Sequence, residues 1–316
     1  MSETSGRIDW IDHLRGLGIV LVVIGHVTSS APLHHWIFLF HMPLFFLLSG
    51  YLARPRAPWL LARSRFFALL VPYAAFLLLV AGLDYIWGRI DGSGSMIAHY
   101  GPVGSVVRLV FGGSALVEVF GTFWFVPCLY VAGLILNQIV GHRQAMGLAL
   151  AAIILGVAIS YLVPAIPSPL GVVQVPMALA LMACGWLARG RGSVSPAVLA
   201  IATILFVVAG TMADPFDMKY LSFGTFPTNI VSAIAGTVTV AGVAQWLGRV
   251  TVIGSGLSLL GRASLVIMFL HQLINVHLHP YAGDWLTVVV AILLPLAFWW
   301  AVGRGALTSR LFLGRA

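Results

Sequence analysis

Apolar runs recur along the whole chain, each close to the roughly 20 residues that carry a helix across a bilayer, with short polar stretches between them. They predict spans over residues 16–30, 36–53, 66–87, 122–141, 145–163, 172–187, 196–212, 227–247, 264–279 and 285–302. The first two form a hairpin around a tight turn. Residues 88–121 are the longest interruption, opening on the Gly/Ser-rich DGSGS and continuing into a shorter apolar piece, residues 104–121, that bears Arg108 and Glu118. That piece lies outside the membrane or dips partly into it, and is a full span only if another is miscounted. Neither heptads nor short tandem repeats occur. The pattern predicts an all-α polytopic membrane protein of about ten transmembrane helices, with residues 1–316 forming one membrane domain.

Composition agrees with this. Of 316 residues 60% are hydrophobic and 8% charged, and the mean hydropathy is +1.02, far from the roughly 25% charged residues of a soluble domain. The net charge of +8 would suggest nucleic acid in a soluble protein; here it is a topology signal. Most arginines, from Arg7 and Arg15 through Arg54, Arg56, Arg63 and Arg65 to Arg310 and Arg315, fall at alternate loops or helix ends, and only Arg89, Arg108 and Lys219 fall on the other side. The positive-inside rule then puts both termini in the cytoplasm and makes the span count even. Cys128 and Cys184 lie in apolar runs on different helices and imply no disulfide framework. Arg7 and Arg15 precede an apolar run ending in Ser29, Ser30 and Ala31, yet Asp9, Asp12 and Pro32 argue against a cleaved signal peptide.

The first hairpin carries an unusual polar load. Asp12, Arg15, His26 and His41 stand in or beside its two apolar runs, where an ionisable group costs roughly 2.5–3.5 kcal/mol to insert. Arg15 and His26 return to nearly the same helix face, about 16 Å apart along the axis. Asp12, three residues before Arg15, can pair with it. The short turn brings His41 back to the depth of His26, so both imidazoles can face one cavity. Ser49 and Gly50 lie lower, level with Gly16 and Gly18. Two histidines without a nearby carboxylate or thiol make a poor metal site, so no metal is expected. His34, His35, His277 and His279 fall at helix ends as solvated or interfacial groups.

These residues also carry a family resemblance. DHLRGLGIVLVVIGH followed by FHMPLFFLLSGY resembles the amino-terminal signature of the integral-membrane acyltransferase-3 superfamily, which O-acylates sugars and other acceptors. The pattern beginning IDW is similar to its fucose 4-O-acetylase-like branch. RSRFFALLVPY, FWFVPCLY and LGRASLVIMFLHQ continue the resemblance in order. By that resemblance Arg15 and His26 match the arginine and histidine needed for acyl transfer, and Arg65 resembles the first arginine of a short Arg-x-x-Arg motif. Ala68 stands where its partner arginine would be.

The implied reaction takes acyl-CoA, acetyl-CoA by default, as co-substrate from the cytoplasm. Arg15, Arg63 and Arg65 would meet its phosphates, as guanidinium geometry suits them, with Ser49 on the same donor side. His26 is expected as general base or transient acyl carrier. His41 would orient it, stabilise an oxyanion or relay a proton, and Asp12 completes the catalytic group through Arg15. Trp124, Glu118, His271 and Gln272 are candidates for the acceptor side. Trp124 serves equally as an interface anchor, and Glu118 equally as a structural partner of Arg108. The expected partners are membrane lipid and a sugar or glycan acceptor, not nucleic acid, in a bacterial inner membrane. A transporter or flippase, or a scaffold without turnover, is the competing reading.

Overall fold

The computed structural model describes residues 9–92 and 94–315; Arg7 lies outside the described residues. Among these residues the elements are helices, with no strands. Eight helical stretches are long and apolar enough to cross a membrane, one of them the 52-residue Thr251–Val302, and Met96–Phe111 and Pro196–Gly210 are shorter apolar helices. Large apolar side chains face outward on the peripheral helices, among them Ile154, Leu155, Ile201 and Ile204. An exposed apolar surface of that extent suits lipid, and the chain is a multi-pass membrane protein.

The helices are α1 (Asp9–Val27), α2 (Ala31–Phe38), α3 (His41–Tyr51), α4 (Pro58–Arg65), α5 (Val71–Asp91), α6 (Met96–Phe111), α7 (Phe125–Val140), α8 (Ala145–Leu162), α9 (Val175–Leu187), α10 (Pro196–Gly210), α11 (Thr228–Leu247), α12 (Thr251–Val302) and α13 (Ala306–Leu313). Two prolines explain where the expected helices depart from regularity. A proline ring clashes with the carbonyl four residues earlier and donates no hydrogen bond to it. Pro43 meets Leu39 in this way, and residues 36–53 are accordingly two helices, α2 and α3, broken at Leu39 and Phe40. Pro72 meets Ala68, and the chain passes through a π turn, Phe66–Leu70, between α4 and α5. That helical stretch begins at Pro58, well before residue 66.

The interrupted region is corrected too. α6 starts at Met96, bends where Gly101 takes φ 68° ahead of Pro102, and ends at Phe111. Two 3-10 turns follow, Gly113–Ala115 and Glu118–Phe120, so residues 104–121 do not form one span. α12 begins at Thr251, so Gly254 and Gly256 are helical, and Gly283 at φ 67° divides the helix between the two expected spans. Asp284 fixes this break: it accepts hydrogen bonds from the Ser29 backbone N–H (2.8 Å) and hydroxyl (2.9 Å), and pairs with His279 at 2.8 Å. The short helix α13 was not anticipated; its Phe312 packs on Phe76 and Phe298.

Glycines set two helix contacts close to the backbone. A Cβ on Gly16 would overlap the Leu257 carbonyl and one on Gly261 the Asp12 carbonyl, joining α1 to α12. Likewise Gly50 faces the Met182 carbonyl and Gly185 the Leu47 carbonyl, joining α3 to α9. Small residues permit such approach between membrane helices. Between α1 and α3 the contact is through side chains: a Cβ on Gly18 would sit 3.1 Å from Leu44 Cδ2.

The segment between α10 and α11 is folded inward. Phe216, Met218 and Phe223 are buried, and Asp217 bridges to Ser222. Asn229 holds the base of this loop by accepting from the Asp214 and Thr225 backbone N–H groups. Gln174, itself bonded to Ser168 Oγ at 2.6 Å, donates to the Lys219 carbonyl at 2.8 Å.

Candidate functional site

Helix α1 delivers His26 at its last turn, the start of α3 delivers His41, and α12 delivers His271. The His26 ring centroid lies 5.6 Å from that of His41 and 5.3 Å from that of His271. His41 Nδ1 donates to the Ile37 carbonyl (3.2 Å) and His271 Nδ1 to the Ile267 carbonyl (2.9 Å). A carbonyl only accepts, so both rings carry the proton on Nδ1 when neutral and present a lone pair at Nε2. His271 Nε2 is buried with no partner. His26 is thus flanked by two acceptor imidazoles. Protonated by a substrate on one nitrogen, it would keep one N–H for either of them. The same tautomer argues against a neutral His41 as oxyanion donor, leaving orientation and proton relay among the expected roles.

A cavity of about 260 Å³ opens onto this cluster, lined by His26, His41, Glu118, Trp124, Lys219 and Gln272 among others. The expected acceptor-side residues Glu118, Trp124 and Gln272 therefore share one wall system with His26. His271 does not line it; it stands behind the His26 ring. Trp124 is 3% exposed, with its ring near Phe46 and Phe125. It belongs to the cavity wall rather than to a lipid interface. Arg108 donates to the Ala115 carbonyl and lies 3.6 Å from the Tyr100 ring centroid; Arg108 and Glu118 form no ion pair among the described residues. Glu118 is exposed and holds φ 51°, a conformation that costs of order 1–3 kcal/mol for a side chain of this kind.

Asp217 and Lys219 fall between the expected spans 196–212 and 227–247, and the structure carries them into the cavity. Gly121 marks the meeting point: a methyl group there would touch Lys219 Nζ at 3.7 Å and Gln272 Nε2 at 3.8 Å. Gln272 is held so that its Oε1 accepts from Asn275 Nδ2 at 3.1 Å, while Asn275 also donates to the His26 carbonyl at 2.9 Å. Lys219 is 9% exposed. Burial pushes its ammonium down to about 8, with Asp217 opposing the shift. Burial likewise raises the Asp217 carboxyl, against the backbone N–H groups of Tyr220 and Lys219 that favour its charged form. The signal was present: Lys219 is the only lysine in the chain and stands in Phe216-Asp217-Met218-Lys219-Tyr220, whose alternation of apolar and polar residues is unlike a solvated loop.

A second cavity, of about 190 Å³, runs between α1, α3, α7 and α12 and is lined by Arg15 and Ser49, with apolar walls from Ile19, Phe45 and Leu265. Met42 and Thr122 line both cavities. The two cavities are therefore neighbours, and one of the side chains they share is a flexible thioether. Asp12 is buried and lies 3.8 Å from the half-exposed Arg15 guanidinium; it lines neither cavity. Arg63 is exposed and Arg65 is turned against Gly133 of α7, its Nη1 buried without a partner. Neither arginine lines the Arg15 cavity, so the structure does not bring the expected donor-side cations together.

The other histidines divide. His277 is buried, not solvated, and pairs with Asp84 at 3.4 Å while Asp84 accepts from the Met96 N–H. His279 keeps a half-exposed place beside Asp284. His34 stacks on Phe38 and His35 meets the Gly210 carbonyl at 3.0 Å. Cys128 and Cys184 are free thiols. Among the described residues no cluster of three or more metal-binding side chains occurs.

Polar chemistry enclosed by apolar helices, with a neighbouring cavity lined by Arg15, suits group transfer between substrates that arrive separately. A family model described as an acyltransferase domain matches residues 8–304. No curated protein and no solved structure matches the chain. The match takes in the α1 hairpin, the inward-folded loop and both halves of α12, and the chain accordingly belongs to the acyltransferase-3 superfamily and is a membrane acyltransferase.

Proposed function

We propose that the protein is an O-acyltransferase that moves an acyl group, acetyl by default, from acyl-CoA to a hydroxyl of a sugar or glycan. The observation that carries this reading is the position of His26: it lines a cavity that shares Met42 and Thr122 with the lining of the Arg15 cavity. The arginine-rich end of the bundle is the cytoplasmic one on the positive-inside rule. Acyl-CoA would approach there, with Arg15 meeting a phosphate and the pantetheine arm lying along the apolar passage toward His26. The rise from Arg15 to His26, about 16 Å along a helix, suits such an arm. In a bacterial cell the acceptor cavity would then face away from the cytoplasm across the inner membrane.

His26 in its neutral form accepts the proton of the acceptor hydroxyl as the oxygen bonds to the thioester carbon. The C–S bond breaks as the tetrahedral intermediate collapses, and the CoA thiolate recovers the proton from the imidazolium. The other ring N–H of His26 faces away from the reacting atoms, and one acceptor nitrogen, His41 Nε2 or His271 Nε2, would stabilise the imidazolium by accepting from it. The test is release of free CoA by purified protein given acetyl-CoA and a sugar acceptor. Thioester-dependent release that disappears in His26→Ala is expected. Release at the wild-type rate by that variant would sink the catalytic assignment, and no release by the wild type across a panel of acceptors would favour a transporter or scaffold.

A further inference from the structure

Lys219 has a position that acyl transfer alone does not explain. Its ammonium is buried, yet it forms no ion pair among the described residues. The neighbouring carboxylate, Asp217, turns an oxygen instead to the backbone N–H groups of Lys219 (3.0 Å) and Tyr220 (3.3 Å). The amine faces the Tyr220 ring at 4.8 Å and the Gln272 amide across Gly121. Asp217 is near enough to favour the charged ammonium but makes no direct contact with it, which leaves the hydrogen-bonding capacity of a buried cation open to an anionic ligand.

Lys219 also lines a second space. Beside the His26 cavity lies a groove of about 670 Å³ whose walls include Val107, Phe111, Ile166 and Leu221, with Arg108 as its other cation. Val107 is 60% exposed and continues the outward apolar strip Val103, Val106 and Val110 of α6. The groove thus runs from the lipid-facing side of α6 to the ammonium that borders the reaction cavity. An apolar track ending on a cation, next to a general base, matches a molecule with an apolar chain, an anionic joint and a hydroxyl-bearing head, in that order.

We propose that Lys219 binds the phosphate of a lipid-linked acceptor whose apolar chain lies in the groove along α6 and whose sugar reaches His26. Arg108 adds a second positive charge on the groove side, and Gln272 Nε2 supplies a neutral donor on the cavity side. This rests on the acyltransfer reading for the role of the head group, while the lipid phosphate site stands on Lys219 and the groove.

Binding of three probes to the purified full chain tests it: farnesyl phosphate, farnesol and glucose 1-phosphate, by calorimetry or native mass spectrometry. Farnesyl phosphate should bind at least tenfold more tightly than either of the others. Lys219→Gln should erase most of its advantage over farnesol, and Lys219→Arg should keep it. Ile166→Trp, at the exposed edge of the groove, should weaken farnesyl phosphate and leave glucose 1-phosphate unchanged, a second reading if Lys219→Gln fails to fold. Equal affinity for farnesol removes the phosphate site, and equal affinity for glucose 1-phosphate removes the chain; either result overturns the proposal. Loss of farnesyl phosphate binding in Arg15→Ala would move the phosphate to the other cavity and overturn it as well. His26→Ala should bind farnesyl phosphate and farnesol like the wild type, since neither carries the sugar that reaches His26. Absent CoA release with intact probe preference therefore defeats the acyltransfer reading alone, and transfer without probe preference defeats the lipid site alone.

Discussion

The two cavities are built in different ways. The one at Arg15 is an apolar slot with a single guanidinium at its mouth, and much of its wall comes from one stretch of chain, α1 and α3. The one at His26 is the more polar of the two and gathers residues from the α2–α3 break, the 3-10 turn at Glu118, the loop after α10, and α12. The slot suits a long flexible substrate with charge at one end. The polar cavity can discriminate among hydroxyl-bearing heads, because unpaired donors and acceptors penalise a wrong partner. On the proposed reading, the first hairpin shapes much of the donor side and distant loops shape the acceptor side. Changing what is acylated would then require different loops on an unaltered hairpin.

The sharpest way to break this division is His26→Ala, which should lower acyl transfer roughly 10²- to 10⁴-fold, the usual span for a lost general base, with acetyl-CoA affinity retained. A matching loss of acetyl-CoA binding would show that the two cavities are one site. Next, Arg15→Ala should raise KM for acetyl-CoA about 10- to 100-fold, the scale of one hydrogen bond to a charged group, and leave kcat and farnesyl phosphate binding nearly unchanged; unaltered KM would remove Arg15 from the donor slot.

A smaller effect follows from pH. Lys219 is charged below its value of about 8 and neutral above it, so attraction for a phosphate is present at low pH and lost as pH rises. Farnesyl phosphate affinity should be flat toward neutral pH and about tenfold weaker one to two units above 8, with Asp217, Glu118 and His26 facing the same cavity. Affinity that grows over that range would contradict the assignment. The smallest changes concern the frame. Gly50→Ala should destabilise the protein by about 1–3 kcal/mol through overpacking against the Met182 backbone. Gly82→Ala, where nothing lies within 4 Å, should be neutral or stabilise by up to about 1 kcal/mol. Thermal unfolding in detergent measures both.

Much of the first hairpin was legible because its cause is local. The eleven-residue step from Arg15 to His26 and the short turn before His41 are helix arithmetic, and the His26–His41 approach follows from them. Pro43 and Pro72 also announced the irregularities four residues upstream, once the ring clash is considered. The acceptor side was legible in part: Trp124, Glu118 and Gln272 were named, while Lys219 was counted only as a charge. Its burial depends on Asn229 and Gln174 pinning a loop across distances that no periodicity encodes. Arg63 and Arg65 were grouped with Arg15 by charge, but the π turn that follows α4 and the contact of Arg65 with Gly133 decide where they point.

The reciprocal glycine contacts have a mechanical consequence for the donor slot. Backbone meets backbone from α1 to α12 and from α3 to α9, so each couple behaves as a single stiff beam. The slot is the seam between the beams, closed by the softer side-chain contact of Gly18 with Leu44 and Phe45. Parting the seam carries His271 along with His26 on one beam, since α12 travels with α1, while His41 rides on the other. Were the proposed donor to enter by parting that seam, the His26–His41 contact would open while His26 and His271 stayed together.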